Sequence, residues 1–177
     1  MSETIAKLFS EEQIATKVAE AAEWLDERFK GVDTVPLAVS VLKGSVFFFS
    51  DVVRAMKTPV QLDFMSVSSY GNSTESSGVP KIVMDLSVSV QGRDVILFED
   101  IIDSGYTLEK LKELILGRGA NSCTIVTLFN KSARRMAAIE ADFYCFEIGD
   151  EFIVGYGLDY AQRYRNLPYV GILNRKN

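Results

Sequence analysis

The sequence predicts an α/β protein with a mostly parallel central sheet flanked by helices, and three stretches predict it. Residues 95–98 form an apolar run, closed by Glu99 and Asp100, with the length and composition of a buried central strand. A loop of small and hydroxylic residues, Asp103-Ser104-Gly105-Tyr106-Thr107, then leads into 108–115, whose apolar residues recur at helical spacing. The same strand, loop and helix order is written earlier, in 35–41, 42–45 and 46–56. In an open sheet of this kind, ligands bind in the crevice beyond the strand tips, where helix N-termini offer unpaired N–H groups to a phosphate.

In chain order, Ser10-Glu11-Glu12-Gln13 reads as a capping box. Ile14, Val18, Ala21, Ala22, Leu25 and Phe29 follow at helical spacing before Gly31, so this helix buries one stripe. After the first strand–loop–helix unit, 61–70 reads as a strand, 71–78 is small and polar, and 79–84 is extended again. That pattern predicts a hairpin with a long arm. Gln91 and Gly92 turn the chain into the central strand, which is expected to end at the acidic pair. Gly117 and Gly119 stop the central helix, residues 122–129 form a further β-branched run ending at Asn130-Lys131-Ser132, and 142–148 supplies one more strand.

Bulk properties narrow the functional classes. With 177 residues, 47% of them hydrophobic, and four Pro, the chain reads as one domain, 1–177, with a sizeable core. A formal charge of -5 argues against a nucleic-acid groove. The chain has no His, which removes imidazole catalysis and the usual zinc sites. Cys123 and Cys145 both lie in apolar, strand-like runs and read as reduced core thiols. Neither a leader nor a membrane-length apolar run is legible, so a cytoplasmic enzyme is expected.

The loop after the central strand carries most of the chemistry. Gly105 lets backbone approach an anion, Ser104 and Thr107 add hydroxyls, and no Lys lies inside the loop as a Walker-type loop requires, so the loop suits a monophosphate. Glu99 and Asp100 suit the cis-diol of a ribose or a metal-bound sugar hydroxyl; solvated acids capping a helix are the alternative. Asp103 is the candidate proton acceptor. Taken alone, Lys43 reads as a solvated lysine at a turn, Lys131 as a surface lysine, Phe152 as a core aromatic and Asp159 as a loop acid.

The run Glu99-Asp100-Ile101-Ile102-Asp103-Ser104-Gly105-Tyr106-Thr107 resembles the phosphoribosyl-pyrophosphate (PRPP) motif of the type I phosphoribosyltransferases, most closely their hypoxanthine-guanine branch. Leu42-Lys43-Gly44-Ser45, Ser68-Ser69-Tyr70-Gly71 and the stretch from Glu151 through Tyr160 resemble further motifs of that family, in its order, and together they span nearly the whole chain. The resemblance implies the type I fold, with a small hood from the N-terminal segment and about 148–177, and a flexible hairpin lid over about 68–80 that carries Ser69 and Tyr70. It implies that Glu99, Asp100, Asp103, Ser104, Gly105, Tyr106 and Thr107 bind PRPP and that Lys43, Gly44, Ser45 and Arg165 hold pyrophosphate. Lys131 would then meet the purine O6, Phe152 stack on the base, and Ile153 pair with the base edge. Asp159, with Glu99 and Asp100, would serve Mg2+. The peptide Leu42–Lys43 is expected to be cis in the pyrophosphate-bound state. The implied reaction joins a 6-oxopurine to PRPP, in a homodimer or homotetramer. Two alternatives stay open: a phosphoribosyltransferase of another base preference, and a non-catalytic nucleic-acid regulator on the same fold, which should carry a basic face that this acidic chain lacks.

Overall fold

The structure, a computed structural model, describes residues 3–68 and 81–175. Ser69, Tyr70 and nearly all of the expected lid therefore lie outside the described residues. Six strands make the main sheet: β2 (Leu37–Leu42), β3 (Gln61–Ser68), β4 (Lys81–Met84), β5 (Asp94–Ile102), β6 (Ser122–Asn130) and β7 (Phe143–Glu147). Their order is β4-β3-β2-β5-β6-β7, and each pair is parallel except β3 with β4. The expected mostly parallel sheet is thus present. Helices α1 (Glu11–Arg28), α2 (Val46–Ala55) and α3 (Tyr106–Gly117) flank it.

β5 lies at the centre because both of its faces are apolar. Ile96 and Phe98 point into a core made with α1 and α2, whereas Val95 and Leu97 point into a second core made with Leu108, Leu111 and Ile115 of α3. Such double burial explains why the run shows no polar alternation. Phe48 and Phe49 of α2 both meet Phe98 edge-on, at 5.9 and 5.3 Å between ring centres, which seats α2 across β5. The α1 stripe is buried as expected, and Ser10 begins that helix with a full capping box.

Two boundaries differ from expectation. β5 continues through Ile102, so Glu99 and Asp100 sit within the strand rather than at its end; pairing with β6 runs on to Ile102 opposite Asn130 and carries the acids along. α3 begins at Tyr106, two residues early, because Gly105 takes φ +88° and turns the chain directly into helix. A second sheet was less legible. β1 (Glu3–Phe9), β8 (Ile153–Val154) and β9 (Val170–Arg175) form an antiparallel hood in the order β1-β9-β8. β1 alternates weakly between half-buried and exposed positions, and β8 has only two residues, so neither carries a strong period-two signal.

Asp63 closes the sheet near its outer side. This buried carboxylate accepts from the backbone amides of Phe64, Ser87 and Val88 at 2.8, 2.8 and 3.2 Å, and from the Ser87 hydroxyl at 3.1 Å, tying β3 to the chain that returns after β4. Asp63→Ala leaves these donors unpaired and should lower the unfolding free energy by about 3 kcal/mol in urea denaturation. A loss below about 1 kcal/mol would mean that water replaces the carboxylate.

Candidate active site

The parallel register brings the ends of β2 and β5 and the start of α3 to one edge, and the hood covers them. Between the two lies a cavity of about 560 Å³, walled by 41–44, 67–68, 99–105, Thr107 and Leu108 from the sheet edge and by Asp159, Gln162 and Arg165 from the hood. A second groove, of about 510 Å³ between α1, α2 and 166–168, is lined mainly by apolar side chains and two acids, Glu11 and Asp51, and lacks cationic donors.

The wall made by 42–44 depends on close backbone approach. Leu42–Lys43 is cis, as the resemblance led us to expect for the ligand-bound state. A Cβ on Gly44 would lie 1.5 Å from the Asp100 carboxylate, and one on Gly157 would lie 2.0 Å from the Gly44 carbonyl. Ser45 is buried, donates to the Val41 carbonyl at 2.6 Å and lies 2.7 Å from the Ser40 hydroxyl. Its hydroxyl therefore braces the loop from behind, and Ser45 is not on the cavity wall, so only its backbone remains a candidate for anion contact.

Two cations face the cavity from opposite sides. Arg165 pairs with Asp159 at 2.6 Å and donates to the Gly157 carbonyl at 2.6 Å, while its buried Nε has no partner. Gln162 accepts from Lys43 at 3.3 Å and from Arg165 at 3.4 Å, and so bridges them. Gln162 was not singled out from the sequence; its place three residues after Asp159 was the available signal.

The PRPP-type loop lies where expected, with Ser104, Gly105 and Thr107 on the cavity wall. Tyr106 is exposed and off that wall, since as the first helical residue it points outward. The loop rests on the segment after β6: the Ser104 carbonyl accepts from the amides of Met136 and Ala137 at 2.9 and 3.0 Å. Arg135 donates to the Asp103 carbonyl and to the Asn130 side chain. Glu147 accepts from Asn130 at 2.7 Å and from the Ser132 amide at 3.1 Å, extending the same network.

Lys131 is buried rather than exposed. Its amide donates to the Ile102 carbonyl at 3.0 Å and its ammonium to the Glu151 carbonyl at 3.0 Å, which places it at the β6 tip beside the hood. Phe152 is half-exposed and edge-on to Tyr160 at 5.8 Å, so it is not a core aromatic, and Ile153 is buried in β8. None of these three residues lines the cavity.

Burial and the neighbouring Asp100 charge push the Glu99 carboxyl well above its ordinary value. Burial also raises Asp100, but less, because Glu99 hydrogen-bonds to it and the Arg165 charge favours its ionised form. Among the described residues, no three His, Cys, Asp or Glu side chains gather as a metal cage, and no helix is long and apolar enough to cross a membrane.

Comparison with known proteins follows the same lines. The family model described as "Phosphoribosyl transferase domain" matches residues 5–161. The chain is 55% identical over 166 residues to the hypoxanthine-guanine phosphoribosyltransferase of Bacillus subtilis (strain 168), covering 94% of this chain and 91% of that protein. It is 48% identical over 169 residues to the enzyme of the same name from Streptococcus thermophilus (strain CNRZ 1066), covering 96% and 93%. A crystal structure of a hypoxanthine phosphoribosyltransferase from Staphylococcus aureus superposes with a TM-score of 0.89 at 44% identity, over 95% of this chain and 90% of that one.

The raised Glu99 value has a measurable consequence. Above the ordinary glutamate value of 4.5 the unfolded chain releases a proton that the folded protein keeps, so the Glu99 contribution to stability falls as pH rises. Glu99→Gln removes this titration. Its melting temperature relative to the wild type should therefore climb from about pH 4.5 towards neutrality. Parallel melting curves across that range would refute the direction of the shift.

Proposed function

The chain belongs to the phosphoribosyltransferase family, and from that premise we propose that it transfers the 5-phosphoribosyl group of PRPP to N9 of hypoxanthine or guanine, giving IMP or GMP and pyrophosphate in purine salvage. The observation that carries this reading is the single cavity in which the PRPP-type loop faces Lys43 and Arg165, with Lys131 buried at the adjoining strand tip.

The 5'-phosphate is assigned to the α3 N-terminus, where the amides of 105–107 and the hydroxyls of Ser104 and Thr107 converge. Glu99 and Asp100 take the ribose hydroxyls, and Lys43, Gly44 and Arg165 the pyrophosphate. As N9 attacks the anomeric carbon, the bond to the pyrophosphate oxygen breaks and the electron pair leaves with it. The proton on N7 passes to Asp103, and Lys131 donates to O6 as charge grows there. Phe152 stacks on the base, and the Ile153 backbone meets its edge.

The donor set fits a magnesium ion held mostly by substrate oxygens and water, since Mg2+ commonly takes one or two carboxylates rather than a protein cage. Asp100 and Glu99 would hold it on the sugar side and Asp159, now on Arg165, on the pyrophosphate side. Bound there, it supplies positive charge to the leaving group. The chain works as one domain, 1–177, with β1 and about 148–177 as hood and 68–80 as lid over the reacting atoms. Exposed Phe47, Leu62, Phe64, Val83 and Met84 favour a homodimer or homotetramer. A cytoplasmic site suits two free, buried cysteines whose thiols burial pushes up to about 12.

Purified protein given PRPP, Mg2+ and hypoxanthine should form IMP; no pyrophosphate release with any 6-oxopurine would overturn the reading. Asp103→Asn should lower kcat on the order of 10- to 1000-fold with PRPP KM largely kept. Lys131→Ala should instead raise the purine KM and erode selectivity for a 6-oxo group. Unchanged purine KM in that variant would remove Lys131 from base recognition.

A further inference from the structure

Arg134 has no part in the scheme above, yet it touches the proposed proton acceptor. It closes a short 3-10 turn, Ser132–Arg134, directly after Lys131. Its Nε lies 3.3 Å from Asp103 Oδ1, and its Nη1 lies 3.1 Å from Asp150 Oδ1 at the edge of the hood. Most half-exposed ion pairs of this kind contribute little to stability. Here, however, Asp103 Oδ1 is fully buried and lacks an aligned hydrogen bond, although the Asp103 side chain as a whole is 44% exposed. The inner oxygen therefore faces the guanidinium, and the exposure falls on the rest of the side chain, beside the cavity that Asp103 lines.

The neighbouring residue completes the arrangement. Arg135 donates to the Asp103 backbone carbonyl while Arg134 stands at its carboxylate, so two consecutive arginines hold the two ends of one aspartate. Arg134 also reaches Asp150, next to Glu151, whose carbonyl accepts from Lys131. The proposed base-binding end of the hood and the proton acceptor thus share one guanidinium.

We infer that Arg134 is a positioning residue for the transfer reaction: it fixes the inner oxygen of Asp103 and so turns the outer one toward N7 of the bound purine. This rests on the assignment of Asp103 as proton acceptor. Arg134 itself touches neither the base nor PRPP, so its loss acts on turnover through Asp103 and not on PRPP binding.

The test is a double-mutant cycle in kcat on the full chain with hypoxanthine, PRPP and Mg2+. Arg134→Ala should lower kcat on the order of tenfold, with PRPP KM unchanged within about twofold. Arg134→Lys, which keeps a charge, should recover part of the loss, and Arg134→Gln should not. In an Asp103→Asn background, adding Arg134→Ala should cost less than about twofold, because the group it positions is already gone. Wild-type kcat in Arg134→Ala, equal rates in the Lys and Gln variants, or multiplied losses in the double variant would each overturn the inference. If Arg134→Ala fails to fold, the Lys and Gln variants still decide between the two outcomes. Near-normal turnover of Asp103→Asn alone would strike instead at the assignment of Asp103, and the positioning role would fall with it.

Discussion

The contact among Gly44, Asp100 and Gly157 is the constraint on which the rest of the site depends. Three segments far apart in sequence, the loop after β2, the acidic start of the PRPP-type motif and the hood, come so close that neither glycine has room for a Cβ. The loop after β2, the acidic pair and the hood therefore cannot shift independently. Gln162 continues the linkage on the hood side by bridging Lys43 and Arg165. With these positions locked, Ser45 is free to serve the loop from the buried side, and its hydroxyl satisfies the strand end instead of a ligand.

That closeness has an electrostatic consequence. Glu99 and Asp100 are adjacent acids, and burial opposes the ionisation of both, with the Asp100 charge adding to the opposition at Glu99. On the proposed function, a cation brought in with substrate would favour the ionised form of both. A hydrogen bond from Glu99 and the Arg165 charge both moderate the effect of burial at Asp100.

Much of this was legible in the sequence because its signals are local. The double-faced strand β5, the buried stripe of α1 and its capping box each follow from a few consecutive residues. Boundaries were less legible, since Glu99 and Asp100 stay in the strand only through pairing with β6, a non-local fact. The hood was hard to see for the same reason: β1 and β9 are strands because they meet, with Thr4 opposite Asn174 and Ala6 opposite Ile172. Burial of Lys131 was likewise invisible, because the carbonyl that receives its ammonium belongs to Glu151, twenty residues on, and nothing local to Lys131 announces that contact.

The network behind the PRPP-type loop explains why the segment after β6 bears so many charges. Glu147 holds Asn130 and Ser132, Asn130 holds Arg135, and Arg135 holds the Asp103 carbonyl. The strand tip that presents Lys131 and the loop that presents Asp103 are thus joined through side chains as well as through the sheet. An apolar segment could fill the same volume but would leave the Asp103 carbonyl without a donor and the loop without a directional anchor. Hydrogen bonds fix orientation where packing alone fixes only distance. On the proposed mechanism, in which Lys131 meets O6 and Asp103 meets N7 of one base, orientation at both ends is what this network would secure.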